Sequence, residues 1–160
     1  MKAQTATETV NYTLPDTKVL AIYQDGSLAP ALTFAPPAGG GAAIDDVTSA
    51  NSWLNYTSIV ASGTRKIVVN IASAAPDGTT LTVESADLTG TGGTTLGTHV
   101  LVTLSTTPTP LISEIGSCNT GTGAFGAHLT YTWHVVATDF TKLHAASPTV
   151  VVTYTLTDAS

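Results

Sequence analysis

Apolar and polar side chains alternate along much of this chain with a period of two residues. Val10, Tyr12 and Leu14 alternate with Thr9, Asn11 and Thr13, and Leu129, Tyr131, Trp133 and Val135 with His128, Thr130, Thr132 and His134. Near the end, Val150, Val152, Tyr154 and Leu156 alternate with Val151, Thr153, Thr155 and Thr157. A strand turns successive side chains to opposite faces, so this spacing predicts half-buried strands of antiparallel sheets. Strands are expected at residues 7–14, 18–23, 31–35, 53–60, 66–72, 80–85, 100–105, 111–115, 129–135 and 150–156. Tyr131, Trp133, Val152, Tyr154 and Leu156 are expected to face a core. Trp53 and Tyr56, three residues apart on one strand, must face opposite ways.

Turn signals separate these runs. Gln24-Asp25-Gly26 and Pro76-Asp77-Gly78 are tight-turn sequences, because glycine takes a positive φ without steric cost. Asp77-Gly78 is expected to close a hairpin between 66–72 and 80–85. A Gly/Pro-rich loop is expected over residues 36–50, and Gly/Thr loops over 90–97 and 116–126. No segment carries a 3.6-residue apolar period over ten residues; single helical turns are expected at 45–51 and 139–145. No fixed repeat is present, which argues against solenoids and propellers. The expectation is all-β: a single Ig-like antiparallel β-sandwich of about nine or ten strands spanning residues 1–160.

Composition narrows the partners. Of 160 residues, 42% are hydrophobic and only 10% charged, with a net charge of −6. A chain this acidic lacks the clustered Lys and Arg that displace counterions from nucleic acid, and anionic membrane surfaces are excluded on the same ground. No run of some 18 apolar residues is present, so no membrane span is expected. About a fifth of the chain is threonine. Its branched Cβ favours strands and its hydroxyl meets water, which gives a neutral surface suited to secreted proteins that pack against copies of themselves. The polar start, Met1-Lys2-Ala3-Gln4-Thr5, is no signal peptide. The expectation is a secreted or cell-surface protein whose leader has been removed. Asn11-Tyr12-Thr13 and Asn55-Tyr56-Thr57 match the short glycan-acceptor pattern.

Catalytic chemistry finds little support. His128 and His134 share a strand face but lie about 20 Å apart at 3.3 Å per residue, too far to share a metal. With one cysteine, Cys118, no thiolate cluster exists; burial is expected for it, with a free thiol or an intermolecular bridge as the alternatives. Asp45 and Asp46 form the only adjacent acidic pair and are a weak Ca²⁺ candidate, since hard cations seek several oxygens. A paired-carboxylate hydrolase needs two acids in one cleft; Glu84 and Glu114 stand on expected strands, and nothing in the sequence brings them together. No Gly-x-Ser-x-Gly elbow is present. Gly121-Thr122-Gly123-Ala124-Phe125-Gly126 imitates a dinucleotide loop but precedes a strand, so no helix N-terminus awaits a phosphate. No catalytic residue, metal or cofactor is expected.

Three segments carry a resemblance: 52–58 (Ser-Trp-Leu-Asn-Tyr-Thr-Ser), 115–123 leading into 129–132, and the closing 153–158. Together they resemble a group of uncharacterised secreted bacterial β-sandwich surface proteins and, more distantly, Ig-like pilin and adhesin subunits. The resemblance implies export and an extracellular setting, and assigns no catalytic residues. The leading functional expectation is therefore a non-enzymatic structural or adhesive protein, such as a filament subunit, whose partners are copies of itself or other surface proteins. Residues 1–14 would be an edge strand or a strand donated to a neighbour, with Val10, Tyr12 and Leu14 as its contact side chains. The alternatives are a carbohydrate-binding module that stacks a glycan on an exposed Trp53 or Tyr56, and, third, a secreted hydrolase.

Overall fold

A computed structural model describes residues 4–86, 88 and 92–159; the polar start at 1–3 and part of the expected 90–97 loop lie outside them. Ten strands follow in order: β1 (Thr17–Gln24), β2 (Val47–Ile59), β3 (Arg65–Ile71), β4 (Thr79–Ser85), β5 (Thr98–His99), β6 (Leu101–Thr103), β7 (Thr109–Ile115), β8 (Cys118–Asn119), β9 (Ala127–Val135) and β10 (Val152–Asp158). One sheet has the order β1-β2-β9-β4-β6, with β8 also paired to β2, and the other the order β10-β3-β7-β5. All pairings are antiparallel. The all-β expectation is met.

The alternation read from sequence builds the core. On β2, Ser52, Leu54, Tyr56 and Ser58 point inward; on β3, Arg65, Ile67, Val69 and Ile71 do. Leu54, Val83, Ala127, Leu129 and Tyr131 of the first sheet meet Ile67, Val69, Ile71, Leu111 and Ile115 of the second in one cluster. Each fully buried aliphatic side chain contributes about 1.5–3 kcal/mol. Tyr131 is buried as expected, whereas Trp133, Val152 and Leu156 are only half-buried. Val152 and Leu156 stand on β10, an edge strand, and Trp133 lies where the sandwich opens.

Five local expectations are corrected. Residues 7–14 are not a strand: no ladder pairing includes residues 4–16, and pairing begins at Thr17. Alternation marks a side-chain pattern, but a strand also needs a neighbour's backbone, and no described residue pairs with this segment. Residues 31–35 likewise carry no ladder. The expected helical turn at 45–51 is instead the start of β2, where Val47, Thr48 and Ser49 pair with Trp133, Thr132 and Tyr131 across a register shift before Ser52. The irregular loop therefore stops short of Val47 rather than running to residue 50. Finally, Asp77-Gly78 closes no hairpin, since β3 and β4 belong to different sheets. The connection is longer than the two-residue loops that join paired strands, and it arches from one layer to the other. Gly78, at φ +77, is essential there: a Cβ would stand 2.8 Å from the Asp139 carbonyl oxygen.

Candidate functional site

Each residue singled out from sequence has a definite place. Tyr56 is 2% exposed, and its hydroxyl donates to the Leu96 carbonyl at 2.5 Å. Burial, reinforced by nearby Cys118, raises its pKa far above the ordinary value, so it is a core residue. Trp53 faces outward, as alternation demands. It pairs directly with Tyr23 on β1 and His128 on β9. Its ring lies 5.7 Å from that of Tyr23 and 4.8 Å from that of His128, stacked on the latter. His128 Nε2 lies 2.7 Å from the Ala50 carbonyl oxygen, so that nitrogen carries the proton. The three rings form a cross-strand row in which His128 stacks on one indole face and Tyr23 packs at a tilt against the ring. That leaves less of the indole free for a sugar to stack on.

The acidic candidates are dispersed. Asp46 Oδ1 lies 2.6 Å from His134 Nδ1, and Asp45 is exposed beside it. Among the described residues, no group of three or more His, Cys, Asp or Glu side chains gathers. Glu84 stands on β4 and Glu114 on β7, in different sheets, both exposed. Cys118 is buried, and burial pushes its thiol pKa up, which keeps it protonated and poorly nucleophilic.

Sequence reasoning missed Arg65. It is 1% exposed, although it opens a strand in phase with Ile67, Val69 and Ile71, and that phase was the available signal. Its Nε donates to Asp158 Oδ1 at 3.1 Å and one terminal nitrogen to Ser58 Oγ at 3.1 Å. Short bonds run to the Thr17 carbonyl and the Asp16 carboxylate. Lys18 Nζ reaches the other Asp158 oxygen at 2.6 Å. This polar knot ties β1, β2, β3 and β10 together at one end of the sandwich. It satisfies the buried guanidinium, whose unpaired burial would be costly.

Just before the knot lies the arm, residues 4–16, which no helix, turn or bend interrupts. Val10, Tyr12 and Leu14 are 74%, 90% and 73% exposed. At the other end of the sandwich, β1 and β10 leave an open cleft of about 460 Å³ between the sheets. Its walls include Ile22, Leu32, Leu81, Trp133, Val150 and Val152. On its floor the Tyr131 and Tyr154 hydroxyls meet at 2.5 Å, linking the two sheets. Burial raises both phenol pKa values, so both stay protonated. A second cleft of about 650 Å³ shares Leu32 and Trp133, and in it Phe34 packs on Trp133 at 4.2 Å. No helix among the described residues is long and apolar enough to cross a membrane. No protein-family model, curated protein or solved structure matches this chain.

Proposed function

We propose that this protein is a non-enzymatic, extracellular structural or adhesive subunit, an immunoglobulin-like sandwich that joins copies of itself by lending its N-terminal arm to a neighbour. The observation that carries the reading is the arm: three large apolar side chains in strand-like alternation, exposed, with no partner strand beside them. Such a segment offers main-chain bonds to an open sheet edge and alternate side chains to its pockets. A surface poor in charge and rich in threonine supports packing between like molecules. Glycan binding has less support, because His128 is already stacked on the indole of Trp53 and Tyr23 packs against it.

Light scattering of the full chain across a concentration series tests the reading. Concentration-dependent oligomers are expected, and Tyr12→Asp should weaken assembly by roughly tenfold or more, since a buried carboxylate lacks a partner. A full chain that stays monomeric throughout, or a variant that assembles like the wild type, overturns it.

A further inference from the structure

We infer that the cleft between β1 and β10 receives residues 9–15 of a second copy, with Tyr12 entering toward the Tyr131–Tyr154 hydroxyl pair. This rests on the assembly reading above and names the receiving site.

Ile22 gives the first indication. It pairs with buried Leu54 and so faces into the sandwich, yet it is 50% exposed. An inward side chain left half in water marks a place where the sandwich lacks cover. The segments beside the cleft point the same way. Residues 28–37 and 143–151 carry no helix, turn, bend or ladder, although Leu32 and Val150 pack against the core. They resemble strands that lack a neighbour between them. A third strand placed there would supply the ladder bonds that both lack.

Chemistry matches the arm to this slot. None of the described residues lining the cleft is charged, and residues 9–15 contain no charge either. In a chain of net charge −6, these are two surfaces that copies can bring together without opposing like charges. A tyrosine suits apolar walls above a hydroxyl floor, since its ring is apolar and its tip seeks a hydrogen-bond partner. Geometry favours a neighbour's arm over the chain's own. Asp16 is held at the opposite end by Arg65. The four residues from Asp16 to Tyr12 span at most about 14 Å, whereas the cleft's β1 wall, Ile22 and Gln24, begins roughly 20 Å along β1, so the chain's own Tyr12 falls short of that wall.

Cross-linking between full-length chains tests this. Thr13→Cys protein, which keeps Tyr12, is mixed with Thr33→Cys protein, at an exposed residue lining the cleft, under mild oxidation; Thr13→Cys with Thr103→Cys, exposed on β6 at the far edge of its sheet, is the control. The first pair should form mixed dimers roughly tenfold faster, because docking raises the effective concentration of the two thiols. Equal rates overturn the inference. So does a Thr13→Cys/Thr33→Cys double variant that closes its disulfide within one chain at high dilution. Ile22→Lys, at a half-exposed site, should reduce assembly as far as Tyr12→Asp does while leaving the circular dichroism unchanged. Arm-dependent oligomers that cross-link equally at Thr103 would remove the cleft but leave the assembly reading standing. A monomeric full chain removes both.

Discussion

Asp158 shows how much one side chain can integrate. Hydrogen bonds from Lys18 and then Arg65 hold its carboxyl below the usual carboxylate range. A depressed folded-state pKa adds stability above the unfolded value of about 4, and that stability is lost as pH falls through the lower folded value. The melting temperature should therefore drop between about pH 5 and pH 2, in the window where carboxylates protonate. Asp158→Asn should melt lower than wild type at neutral pH and show a smaller acid-induced drop, the two curves converging at the acid end. Parallel pH curves for the two proteins would show that the knot is energetically idle. The knot was hard to read from sequence. Arg65 is one of five basic residues, and its strand phase marked it as inward. Its partners, Asp16 and Asp158, stand 49 and 93 positions away, and no local pattern foretells such a meeting.

Among elements, most strands of some length that have a neighbour were legible, the edge strands β1 and β10 included. β3, β4, β7 and β9 fall within a few residues of their expected positions because burial of one face imposes the pattern. Legibility failed where the pattern was present and the neighbour was not, at 7–14 and 31–35. It failed again at Val47–Ile59, whose first part is too polar to announce a strand and is held by pairing with β9. The Pro76–Gly78 connection taught a similar lesson, since its turn chemistry was legible and its destination was not. Gly78→Ala should cost about 1–3 kcal/mol, combining a disfavoured positive φ with a Cβ pressed on the Asp139 carbonyl. Gly63→Ala, at φ +70 with open space around it, should cost less, about 1 kcal/mol. Chemical denaturation of the pair separates the steric contribution from the backbone one; equal losses would mean that the 76–78 arch yields easily.

For the whole molecule, net charge and apolar contact act in opposite directions. Copies of a −6 chain repel over a screening length of about 10 Å at 0.1 M salt. Contacts made through neutral segments survive screening while the repulsion does not. Assembly should therefore strengthen as NaCl rises from about 0.01 to 0.5 M, and further in sulfate, which favours apolar burial. Sedimentation velocity across that series checks it. Weakening with salt would instead mean that ion pairs hold the copies together. The candidate site was half legible: the alternation of Val10, Tyr12 and Leu14 was in the sequence. The cleft was not, being made by segments far apart in the chain, 29–33, 75–76 and 148–154.

The anchoring of Asp16 to Arg65 has a mechanical consequence. Tension applied to the arm enters the sandwich at residue 16, where the guanidinium also holds Thr17, Ser58 and Asp158. The load passes at once into β3, a strand paired on both sides, and into the last residue of β10. Without that link, force would peel β1 from β2 one ladder bond after another. With it, several strands must slide together before any one of them yields, so the grip of the folded body on its own arm is shared between both sheets.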